Sequence, residues 1–90
     1  MNTLIISYDL IKPGKDYTNV HNYIQSFSKW AKPLESFYII KTNLSATYVR
    51  DQLLTHVDSN DKILVIDVQN HSSAWNNLNK TISDWLKNNF

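Results

Sequence analysis

The side chain best placed for chemistry in this sequence is Asp9. It closes the apolar run Leu4-Ile5-Ile6-Ser7-Tyr8-Asp9-Leu10, just ahead of Lys12-Pro13-Gly14-Lys15. A carboxylate where a buried strand meets its loop can hold a hard cation at a rim or an interface. With Mg²⁺ or Mn²⁺ bound, such an acid could help generate a hydroxide nucleophile. The same acid can instead cap the amides of the loop behind it. Asp61, in the turn-rich stretch Asp58-Ser59-Asn60-Asp61, is the candidate second ligand, although an Asp in such a turn more often bonds its own backbone. Lys12 and Lys15 flank the Asp9 loop and could touch phosphates, with Lys41 and Arg50 extending the patch. Lysines scattered singly are otherwise simply solvated.

The remaining reactive side chains are less suggestive. His21, His56 and His71 titrate nearest neutrality, but no ligand-type spacing relates them. His21 and His56 fall on predicted helices and His71 in a cap region, which reads as three surface residues. Ser7 sits in no nucleophile elbow, and the single glycine excludes a Gly-rich phosphate cradle. Asp67 interrupts an apolar strand and reads as an edge or lysine-paired residue. Trp30, Trp75 and Trp85, with Tyr17, Tyr23, Tyr38 and Tyr48, could stack bases or seal an interface. Packing of the core is their simpler use.

The elements that must position these groups follow from periodicity. The opening run predicts a buried strand that breaks at Pro13-Gly14. Asp16 then caps a helix in which Val20, Ile24, Phe27 and Ala31 recur at helical spacing, stopped by Pro33. Leu34 to Thr42 is β-branched and aromatic, and predicts two short strand segments that break around Glu35-Ser36. Ser45 is an N-cap for a second amphipathic helix carrying Val49, Leu53, Leu54 and Val57. Lys62 to Val68 is the clearest strand, apolar enough to predict a position that is central, or covered on one face and partly on the other. Asn70-His71-Ser72-Ser73 then caps a terminal helix bearing Ala74, Trp75, Leu78, Ile82, Trp85 and Leu86. Strand, helix, strand pair, helix, strand is the order of an α+β, ferredoxin-like split βαβ sandwich with an antiparallel sheet, here with an extra C-terminal helix. Its first and last strands would lie side by side, bringing Asp9 towards Asp61.

Ninety residues make one small domain, residues 1–90, with 1–69 as its core and 70–90 as a helical extension. A chain this small leaves much surface exposed, and forming a homodimer would bury more of it. A net charge of +1 is not the footprint of a dedicated nucleic-acid binder. The absence of cysteine excludes disulfides, thiolate metal sites and cysteine nucleophiles. No charged n-region precedes the first apolar stretch, which is too short to span a bilayer, so a soluble cytoplasmic protein without membrane partners is expected.

Three segments resemble a known family. Ile5-Ile6-Ser7-Tyr8-Asp9-Leu10 is similar to the first strand of the small CRISPR-associated endonucleases, which ends in Tyr-Asp and an aliphatic residue. Glu35-Ser36-Phe37-Tyr38-Ile39 resembles their strand pair, and Asn60-Asp61-Lys62-Ile63-Leu64-Val65 the start of their last sheet strand. The likeness covers the first two thirds to three quarters of the chain and looks nearest to stand-alone relatives labelled SinR-family proteins. It implies a ferredoxin-like homodimer acting on or near nucleic acid. In that family the strand-end Asp is proposed to bind a divalent metal between two protomers, and Asp9 matches it. Asp9 is then the catalytic and metal-binding residue, with Asp61 as a further ligand, and Lys12, Lys15 and Lys41 contact nucleic acid. The alternative implied role is a non-catalytic homodimeric scaffold, with Phe37, Tyr38, Trp75 and Trp85 at the interface. Two features depart from the family pattern: Arg and Lys are sparse after Asp9, and the tail reads as helical where many members add a strand.

Overall fold

The computed structural model describes residues 1–10 and 17–90. Lys12, Lys15 and the expected cap Asp16 lie outside the described residues. The elements run β1 (Asn2–Asp9), α1 (Thr18–Gln25), β2 (Lys29–Leu34), β3 (Phe37–Thr42), α2 (Ala46–Leu54), β4 (Lys62–Asp67) and α3 (Lys80–Asn89). The four strands form one sheet in the order β2-β3-β1-β4, and all three pairings are antiparallel. This is the α+β, ferredoxin-like split βαβ arrangement with a C-terminal helix that the element order implies.

Alternation along β1 separates two faces. Leu4 and Ile6 pair with Ile40 and Tyr38, and these four pack with Val20 and Ile24 of α1 and with Val49 and Leu53 of α2 in the core. Burying each such side chain contributes about 1.5–3 kcal/mol. Ile5, Ser7, Phe37 and Ile39 take the alternate positions and so point to the other face, where Leu86 of α3 is also buried. The side chain of Ser45 caps α2 by accepting from the Tyr48 N–H, as expected of that residue.

Three expectations are corrected. The first helix stops at Gln25 rather than running to Ala31. Ser26 caps it, its N–H and hydroxyl both turned back on the last turn, in keeping with serine's competition for backbone partners. Residues 29–34 instead form β2, where Trp30 pairs with Ile40 and Ala31 with Ile39. Pro33 is tolerated there because β2 is an edge strand and its register shifts between Ala31 and Leu34. The strand break does fall at Glu35-Ser36, with Ser36 in the left-handed region at φ 55°.

The terminal helix begins at Lys80, not in the 70s. Asn77 is left-handed at φ 63°, which a helix cannot continue through, and the Asn79 side chain caps α3 by accepting from the Ile82 N–H. Ala74, Trp75 and Leu78 therefore precede the helix. Finally, β4 is not central. It is the outer strand beside β1, and Leu64 and Ile66 are 56% and 43% exposed. Ile63 and Val65 pack against the core, so its apolar run serves two surfaces.

Candidate functional site

Asp9 is exposed at the last position of β1 and lies opposite Lys62 in the ladder. The adjacency of Asp9 and Asp61 expected from the topology holds along the backbone, because Asp61 immediately precedes Lys62. The Asp61 carboxylate, however, is buried and engaged. Oδ1 accepts from the Tyr17 hydroxyl at 2.9 Å, and Oδ2 accepts from the Asp58 N–H at 2.8 Å. It ties the start of β4 to the residue before α1. Among the described residues no group of three His, Cys, Asp or Glu side chains is placed to hold a metal ion. Asp9 therefore belongs to no three-ligand group among the described residues.

The other proposed contacts are dispersed. Lys41 Nζ donates to the Asn89 carbonyl at 2.9 Å, a cation at the C-terminal end of α3 where the helix dipole favours it. Arg50 forks onto Asp51 beside it in sequence, at 2.8 Å and 3.0 Å. Asp67 is exposed and accepts from the Gln69 N–H. His71 is exposed, and His56 lies beyond the end of α2 with its ring 5.9 Å from that of Tyr23.

Of the aromatic interface candidates, Tyr38 is an interior residue, 1% exposed. Phe37 and Trp75 line an apolar cavity of about 390 Å³ between the second sheet face, residues 68–78 and α3. The Trp75 indole N–H donates to Ser83 Oγ at 3.1 Å, fastening this segment to α3. Trp85 lies at the opposite, outer side of β2. With Gln25, Trp30, Lys32, Thr81 and Ile82 it lines a second cleft of about 490 Å³.

A cluster around Tyr38 was not anticipated. His21, expected on the surface, is half-buried, with Nδ1 2.9 Å from the Tyr38 hydroxyl oxygen. Gln25 Nε2 donates to that oxygen at 3.0 Å. His21 and Gln25, one turn apart on α1, thus both hold the Tyr38 hydroxyl. Tyr8 stacks on Tyr38 at 6.2 Å and meets His21 edge-on at 5.9 Å, while Trp30 makes a T-shaped contact with Tyr38 at 5.9 Å. The sequence signal was the four-residue spacing of His21 and Gln25, which shares one helix face beside the Val20–Ile24 stripe.

Burial, and then the neighbouring Tyr38 and Glu35, push the Tyr8 phenol up to about 12. A raised phenol pKa favours the proton-bound form in the folded state. Between about pH 10 and 12 the unfolded chain releases that proton first, so stability falls as pH rises through this window. Alkaline unfolding monitored by circular dichroism should be steeper for the native sequence than for Tyr8→Phe. Equal slopes would remove Tyr8 as the cause.

Compared with known protein families, with curated proteins and with solved structures, the chain finds no match.

Proposed function

We propose that this protein is a homodimeric scaffold, a stand-alone relative of the small CRISPR-associated nucleases that assembles on or near nucleic acid through β4. The observation that carries the reading is the exposure of Leu64 and Ile66 on the outermost strand. An edge strand bearing exposed apolar side chains favours pairing with another chain. A two-fold axis perpendicular to the sheet at Val65 sets Leu64 of one protomer opposite Ile66 of its partner, twice over, and keeps like faces together. The sheet then runs continuously through eight strands, twice the four of one chain. Sedimentation equilibrium tests this directly: a species of twice the chain mass is expected, and a monomer across the micromolar range would overturn it.

A second reading, Mg²⁺- or Mn²⁺-dependent phosphodiester hydrolysis, is favoured by the exposure of Asp9 at the end of a central strand. It needs a second Asp9 close by. In the β4-paired dimer Asp9 lies one strand in and opposite Lys62. With about 4.8 Å between strands and about 3.4 Å per residue, the two Asp9 backbones stand about 25 Å apart. The two readings therefore exclude one another for a single dimer. Incubating native and Asp9→Asn protein with labelled RNA and duplex DNA, with Mg²⁺, Mn²⁺ or chelator, separates them. The scaffold reading expects no metal-dependent difference. Cleavage by the native protein that Asp9→Asn abolishes, at unchanged thermal stability, would replace it with the nuclease.

A further inference from the structure

We propose that the cleft at the outer side of β2 is a nucleotide site, taking an aromatic base on the rings of Trp30 and Trp85 and a phosphate on Lys32. The cleft has a volume of about 490 Å³, and Gln25, Trp30, Lys32 and Trp85 are among the residues that line it. That volume falls within the roughly 300–1,000 Å³ of small-ligand sites, which combine apolar walls with a few polar groups. Two indole rings in one cleft are an expensive use of apolar surface unless something covers them, and Trp30 is 36% exposed. Indole faces stack on any base.

The charge and the polar group beside these rings set the ligand's chemistry. Lys32 is the cation of the cleft. Its Nζ lies 3.6 Å from the carboxylate of Glu35, whose side chain is fully exposed; such a surface pair is weak and screened by solvent, so it yields to a phosphate. Gln25 donates its amide N–H to Tyr38, which leaves Oε1 as the acceptor for a base-edge N–H. Trp30 is held against Tyr38 by an edge-to-face contact at 5.9 Å, and Tyr38 is itself fixed by His21 and Gln25. The stacking platform is thus oriented before any ligand arrives, which lowers the ordering cost of binding. The site involves neither Asp9 nor β4 and stands independently of both readings above.

The same chemistry could come from a free nucleotide or from one unit of a single strand. Indole fluorescence and isothermal titration with AMP, and separately with a ten-nucleotide oligoadenylate, in chelator, distinguish these sources. Saturable quenching by either probe is expected. Trp30→Ala should weaken binding at least about tenfold, while Trp30→Phe, which keeps a ring against Tyr38, should restore most of it. Lys32→Ala should flatten the dependence of affinity on salt. Tighter binding of the oligomer than of AMP assigns a strand, and equal binding per site assigns the free nucleotide; both support the site. No saturable quenching by either probe would overturn it, as would binding that Trp30→Ala and Lys32→Ala leave unchanged in proteins with native circular dichroism.

Discussion

Replacing Leu64 and Ile66 together by lysine will leave a folded protein that sediments as single chains. Both side chains are exposed in the isolated protomer, so the substitutions remove little from the core and thermal unfolding should shift only slightly. In the paired form the outcome is different. Four half-exposed aliphatic side chains, two from each protomer, lose the burial that association gives them. At about 25 cal/mol per Å² of apolar surface this is several kcal/mol, or at least a hundredfold in dissociation constant. The lysines also stand opposite one another across the axis, and like charges in directly opposed positions are destabilising. Sedimentation equilibrium on both proteins checks the expectation. A double variant that associates as tightly as the native chain would move the interface off β4.

Tyr38→Ala is expected to cost about 3–5 kcal/mol, the usual penalty for emptying a large buried aromatic position. A chain of 90 residues has about 5–13 kcal/mol of stability in total, so this one change takes a large share of it. Tyr38→Phe should cost only about 1 kcal/mol, because it removes the hydroxyl and keeps the ring. His21 and Gln25, half-buried and exposed respectively, can then turn to water. Urea unfolding of the two variants separates ring packing from hydrogen bonding. If Phe proved as damaging as Ala, the stability would reside in the His21–Tyr38–Gln25 bonds. If Ala cost less than about 1 kcal/mol, the placement of Tyr38 in the core would be wrong.

What could be read from the residues depended on whether a signal was local. The opening strand and the Ser45 cap are local, and both are found where the sequence puts them. Adjacent β1 and β4 follow from connection rules alone. Residues 26–31 depart from the helical expectation because the spacing of Phe27 and Ala31 competes with strand partners about 10 residues along the chain. Pairing of Trp30 and Ala31 with Ile40 and Ile39 decides the matter, and a count of helical spacing does not register a cross-strand partner. Likewise, the apolar run of β4 cannot distinguish a covered strand from one whose second face awaits a neighbour. The Asp61 carboxylate illustrates the same limit at the level of a site. Its bond from the Asp58 N–H follows from the turn it sits in, but its other partner, Tyr17, lies 44 positions away, and only the fold reveals that second bond.

The two margins of the sheet are chemically unlike. At β2, Pro33 has no N–H to offer, the register shifts between Ala31 and Leu34, and α3 packs alongside. At β4, six residues run without proline or glycine. A protein with two receptive margins would add copies at both and grow into ribbons without limit. With one margin of the described sheet refractory, the proposed self-recognition through β4 would use up the competent edge, and polymerisation would stop at two. In the proposed β4-paired dimer, a bulge and a proline in β2 would thereby set the stoichiometry of an assembly they do not touch.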